Sequence, residues 1–118
     1  MSQAINFSLD LLKETNGFTK LAGNPKGKII NGLISSDLLS HVIAHGSEHN
    51  ALITVINNIS TLGVASLLDL GCIIFTHNTI INREIIDKAD LLDIPIFKTT
   101  LNTVDTIIFL YELSGNYE

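Results

Sequence analysis

Four strand-like runs recur along this chain at nearly constant spacing, each followed by a helix-like stretch. They are KIINGLI (28–34), ALITVI (51–56), CIIFT (72–76) and IPIFKT (94–99). Their starts fall near residues 29, 51, 72 and 94, a period of 21 to 22 residues. That is the length of one compact strand–helix unit. Strands joined through helices pair in parallel, and the helices must then cover the sheet. ALITVI and CIIFT are apolar throughout, as expected of strands covered on both faces. The spacing therefore predicts an α/β fold: a three-layer α/β/α arrangement around a mainly parallel sheet.

The intervening stretches carry helix signals. In SSDLLSHVIAHG, Ser36 is placed to cap a helix, Asp37 to sit in its first turn and Gly46 to end it. Leu38, Leu39, Val42 and Ile43 would form its apolar face. A second helix, about Ser60 to Leu70, is apolar nearly all round. Asn82 heads a third, with Ile85, Ile86, Ala89 and Leu92 on one side. The last, about Asn102 to Leu113, would turn Val104, Ile107, Ile108 and Tyr111 inward. Before the repeat, LDLLKETNG (9–17) reads as a short helix ended by Gly17, and FTKLA (18–22) as a brief strand. With no linker-like stretch in 118 residues, one domain spanning 1–118 is expected.

A net charge of −5 argues against nucleic acid or an anionic membrane as the main partner. The charge is uneven. Residues 1–28 carry four lysines (13, 20, 26 and 28) against Asp10 and Glu14, whereas the remainder carries three cations against ten carboxylates. Such a lysine group usually forms a solvated face. The one cysteine, Cys72, lies in an apolar run and reads as a buried small hydrophobe; no disulfide framework is available. The start, MSQAINFSLD, has neither the basic nor the apolar region of a signal peptide, and no apolar run approaches the length of a membrane span. A cytoplasmic location is the expectation.

AGNPKGKII (22–30) resembles a phosphate-binding loop and fails the test for one. Such a loop needs G-x-x-x-x-G-K-[S/T] between a strand and a helix, so that backbone amides and a helix N-terminus cradle the phosphates. Here Gly23 and Gly27 are one residue too close, Ile29 stands where the hydroxyl belongs, and a strand pattern follows.

The same region carries a family resemblance. GKIINGLISSDLLSHVI, ALITVINNISTLGVASLLDLGCIIFT and DIPIFKTTLNTVDT together resemble the DRTGG domain family, most strongly from Ser36 to Thr76. The motif that names the family, Asp-Arg-x-Val-Thr-Gly-Gly, falls on Gly27 to Leu33. Gly32 is kept, Lys28, Ile30 and Asn31 are conservative replacements, and Gly27 and Leu33 depart. The resemblance implies a fold like the N-terminal domain of HPr kinase/phosphorylase. It also implies a regulatory role of the kind such domains play beside CBS domains in regulated pyrophosphatases. It supplies no catalytic residues, metal or cofactor to carry over.

In open α/β sheets ligands bind outside the carboxyl ends of the strands. The residues expected there are Ser36 and Asp37, Asn57 and Asn58, Thr76, His77 and Asn78, and Thr99 and Thr100; Gly32 joins them through the motif. Hydroxyls and amides suit a small-molecule or nucleotide ligand, but Ser, Thr and Asn also cap helices wherever strands turn into them. His41, His45 and His49 recur every four residues, yet Gly46 interrupts the helix and no further ligand completes a metal set. Asp87, Asp90 and Asp93 read as a solvated helix face, with Arg83 and Asp87 able to pair. Excess apolar surface on helix 60–70 and on IIFLYEL (107–113), notably Phe109 and Leu110, points to a homodimer.

The leading expectation is a non-catalytic regulatory or ligand-sensing domain, homodimeric, acting on a partner enzyme or pathway. The alternatives are a protein-interaction module without a ligand and a small enzyme using His77 or Asp37.

Overall fold

A computed structural model describes residues 5–115. The chain runs β1 (Phe7–Ser8), α1 (Leu9–Lys13), β2 (Phe18–Ala22), β3 (Ile29–Ile30), β4 (Gly32–Ser35), α2 (Leu39–His45) and β5 (Asn50–Thr54). It continues through α3 (Ile59–Leu68), β6 (Cys72–Phe75), α4 (Arg83–Leu92), β7 (Ile96–Thr99) and α5 (Thr103–Leu113). Five strands form the main sheet in the order β2-β7-β6-β5-β4. β4 to β7 are parallel, and β2 closes the β7 edge antiparallel. β1 and β3 make a separate two-residue antiparallel ribbon.

The three-layer α/β expectation holds. Strands β4 to β7 lie side by side in chain order, so right-handed crossovers place α2, α3 and α4 on one face. That layer holds Val42, Leu62, Ala65, Ile85 and Ala89 against Leu52, Ile73, Phe75 and Ile96 of the sheet. The opposite face is covered by the chain's two ends. There Leu9 and Leu12 of α1 and Leu110 of α5 meet Ala51, Ile53, Cys72, Ile74 and Phe97. β5 and β6 are apolar throughout because both layers bury them, each such side chain contributing on the order of 1.5–3 kcal/mol.

The structure differs from the sequence reading in several places. KIINGLI is two strands, not one: Ile29–Ile30 pairs with β1, and Asn31 separates it from β4. α2 begins at Leu39, so Asp37 lies outside its first turn, and Leu38 and Ile43 are exposed while Val42 carries the burial. α5 is rotated from the predicted face. Thr106 and Leu110 are fully buried, whereas Val104, Ile108 and Tyr111 face out. Thr106 tolerates the core because its hydroxyl donates to the Asn102 carbonyl at 2.8 Å. Leu110 is therefore core. Phe109 is half-buried and stacks on Phe18 with ring centroids 5.4 Å apart, so neither supplies a partner surface.

The caps follow the sequence more closely. Asn58, Asn82 and Asn102 accept backbone N–H groups at the starts of α3, α4 and α5, at 2.8, 3.0 and 2.7 Å. Arg83 and Asp87 pair at 3.1 Å, both exposed. None of the described helices is long and apolar enough to cross a membrane.

Candidate functional site

The parallel strands give the sheet two chemically different edges, about 13 Å apart along a five-residue strand. The amino edge carries the 22–30 loop. Its amides do point at anions, but the anions are the protein's own carboxylates. Gly23 N–H donates to Asp90 Oδ1 at 2.8 Å, Asn24 N–H to Asp93 Oδ1 at 3.0 Å and Gly27 N–H to Asp10 Oδ2 at 3.2 Å. Lys28 Nζ donates to the Asp93 carbonyl at 3.2 Å and lies 3.5 Å from its carboxylate. Asp90 and Asp93 are exposed, as their reading as a solvated face expects, and they also anchor the loop. Lys28 leaves the solvated lysine group.

Gly23 has φ +75°, and a Cβ there would lie 2.5 Å from the Ile94 backbone, so the loop rests directly on the chain entering β7. Beside it is a cavity of about 470 Å³ lined by Lys28, His49, Ser66, Asp69, Leu70 and Asp93, among others. α3 and α4 end there in the left-handed residues Asp69 and Asp93. Helix C-termini and carboxylates make this field negative, apart from the Lys28 already bound in it.

The carboxyl edge holds nine of the ten predicted site residues. Gly32, the tenth, starts β4 opposite Asn50 and so belongs to the other edge. The connections also locate a reversal. β6 leads to α4 on one face, while β7 leads to α5 on the other. Loops that diverge in this way mark where an open sheet forms its crevice, here between β6 and β7.

Most of the nine residues have structural duties. Ser36 Oγ accepts the Leu38 N–H at 3.0 Å, with exposed Asp37 beside it. Asn57 Nδ2 donates to the Ile80 carbonyl at 2.9 Å, and Asn58 caps α3. Thr76 is fully buried, its hydroxyl 2.9 Å from that of Thr103. Thr99 Oγ1 accepts the Leu101 N–H at 3.3 Å.

His77 and Asn78 form the centre of a tight turn, with φ of 58° and 53° and the Thr79 N–H bonded back to the Thr76 carbonyl. Two successive positive φ values suit a type I′ turn and are uncommon without glycine. His77 Nε2 accepts the Thr103 N–H at 3.2 Å, which occupies the ring's acceptor nitrogen at the start of α5. Asp37 follows a strand two places away, about 10 Å across the sheet. That geometry gives His77 no carboxylate from Asp37 and no lone pair for base chemistry.

Of the predicted residues left without a partner, Asn78 and Thr100 meet at a second cavity of about 300 Å³, lined also by Gly17, Thr19, Leu21, Lys98 and Thr99, while Asp37 lies away from it. Lys98 is the residue that sequence reasoning passed over. A cation inside the apolar strand IPIFKT was the available signal.

His41 and His45 lie with ring centroids 4.4 Å apart, and His49 stands beyond the helix end at φ 68°. No group of three or more His, Cys, Asp or Glu among the described residues is arranged to hold a metal. Burial pushes the Cys72 thiol far up from its ordinary value, with nearby Lys28 opposing weakly, so the group stays protonated.

No family model and no curated protein matches the chain. Among solved structures it is similar to the CBS and DRTGG domains of the regulatory region of Clostridium perfringens pyrophosphatase, a crystal structure in complex with the activator diadenosine tetraphosphate. The TM-score is 0.72 at 18% identity, covering 87% of this chain and 45% of the other. The chain thus spans less than half of that neighbour, and the likeness supports a DRTGG-like α/β fold.

Proposed function

We propose that residues 1–118 form one DRTGG-family domain that senses a small ligand and regulates a partner enzyme without catalysing a reaction itself. The observation that carries this reading is the shared fold with a regulatory region crystallised with a nucleotide activator. The cavity between β2 and β7, next to the β6/β7 reversal, supports it by supplying a crevice lined with hydrogen-bonding groups. The engagement of His77 Nε2 by the Thr103 N–H weighs against the enzyme alternative.

The domain acts as a homodimer in the cytoplasm. Its contact surface is the outer flank of α5, where Val104, Ile108 and Tyr111 form an exposed apolar stripe, in place of Phe109 and Leu110. Sedimentation should give twice the chain mass, and Ile108→Asp should give the monomer.

A thermal-shift panel of nucleosides, nucleotides, dinucleoside polyphosphates and phosphorylated metabolites tests ligand sensing. Binding to the folded state alone at a hundredfold excess over Kd adds about 2.7 kcal/mol of stability, a rise of several degrees. A flat panel, with a protein partner still co-purifying, would favour the interaction module that needs no ligand.

A further inference from the structure

The geometry points to an anion-binding subsite at the carboxyl end of β7, in which the Lys98 ammonium receives a phosphoryl group of the ligand and Thr19, Asn78 and Thr100 hydrogen-bond its oxygens. This deepens the ligand-sensing reading and rests on it.

Four observations carry the assignment. Lys98 lies on an interior strand, paired with Thr19 of β2 on one side and Phe75 of β6 on the other. The residue sharing its face of β7, Ile96, is fully buried, so a half-buried lysine interrupts an otherwise apolar layer. A long charged side chain there is desolvated in part, and it needs either a counter-charge or an exit to water.

Next, Lys98 has no carboxylate within ion-pair distance among the described residues, although Lys28 and Arg83 each have one. Lys13, Lys20, Lys26 and Lys88 also lack one, but they are exposed, whereas Lys98 is half-buried.

The surrounding polar groups also differ from the rest of that edge. Asn57, Asn58, Thr76, His77 and Asn102 each hold a partner within the protein. The side chains of Thr19, Asn78 and Thr100 make no such bond among the described residues, and they line the same cavity as Lys98. Capping and turn contacts account for the first set, whereas the second is exposed and free to meet a ligand.

Finally, the cavity of about 300 Å³ lies beside the β6/β7 reversal and is at the lower end of the size range of small-molecule sites. A phosphoryl group is compact and carries the acceptor oxygens that an ammonium, two hydroxyls and an amide can satisfy together. The larger cavity offers an anion the opposite field, being closed by two helix C-termini and by Asp69 and Asp93.

The test is an amide chemical-shift titration of the full chain with inorganic phosphate, ATP and adenosine in parallel. Saturable shifts at Gly17, Thr19, Asn78 and Thr100 with ATP, and none with adenosine at equal concentration, are expected. A response to phosphate alone would identify the free ion as sufficient. Lys98→Met should weaken ATP binding about tenfold or more while keeping a folded spectrum, and Lys98→Arg should restore most of it. A Lys98→Met protein that binds ATP like the parent overturns the subsite and leaves ligand sensing standing. The same holds if ATP shifts cluster at Lys28 and Asp69, or if only an uncharged compound raises the melting temperature. No binding by any ligand on the thermal-shift panel overturns both.

Discussion

The two edges of the sheet use similar residues to opposite ends. At the amino edge, a loop that looks built for phosphate gives its Gly23, Asn24 and Gly27 amides to Asp90, Asp93 and Asp10. At the carboxyl edge, Lys98, Thr19, Asn78 and Thr100 surround a smaller cavity with their side chains unspent on the protein. Cavity size would favour the first edge, and hydrogen-bond accounting favours the second. A polar group that already has a partner must give it up before it can bind anything else. Free groups converging on one space are therefore the better guide to a ligand.

The contrast can be broken most sharply at Gly23. Gly23→Ala forces a side chain into the Ile94 backbone at a positive φ and should destabilise the fold by about 3 kcal/mol in urea denaturation. A loss under about 1 kcal/mol would mean that the loop does not rest on β7 as described.

Alkaline pH probes the same edge through Cys72. Burial raises its folded pKa, so its contribution to stability is present below the unfolded thiol's value of about 8.5 and declines above it. The unfolded state sheds the proton first, so stability should fall by about 1.4 kcal/mol per pH unit beyond that point. Cys72→Ala should remove this part of the slope, and identical alkaline profiles for the two proteins would contradict the burial.

The caps come next. Asn58→Ala and Asn82→Ala should each cost about 1 kcal/mol and leave ligand affinity unchanged. Smallest in stability is Thr100→Ala, which should stay within about 0.5 kcal/mol of the parent and yet weaken an anionic ligand severalfold. If the caps changed affinity and Thr100 did not, the division between occupied and free groups would be wrong.

Local chemistry made much of this legible in the sequence. The strand–helix alternation, the continuous apolar runs of β5 and β6 and the three asparagine caps are short-range signals, and the structure keeps them. The failures are long-range. The loop contacts of the exposed Asp90 and Asp93 do not show on α4 because their partners, Gly23 and Asn24, lie 67 and 69 residues away. The buried face of α5 was misjudged because Thr106 satisfies its hydroxyl on its own helix and so occupies the core, leaving apolar Val104 and Ile108 outside. Lys98 was hidden near the end of a short run, where a cation is easily taken for the strand's edge. Only the pairing with β2 shows that the strand is interior.

The most direct test of the whole account is a crystal structure of the protein grown with diadenosine tetraphosphate. The account predicts phosphate density in the crevice between β2 and β7, within hydrogen-bond distance of Lys98 Nζ and the Thr100 hydroxyl. Density in the larger cavity beside Lys28 and Asp69, with the crevice empty, would contradict it.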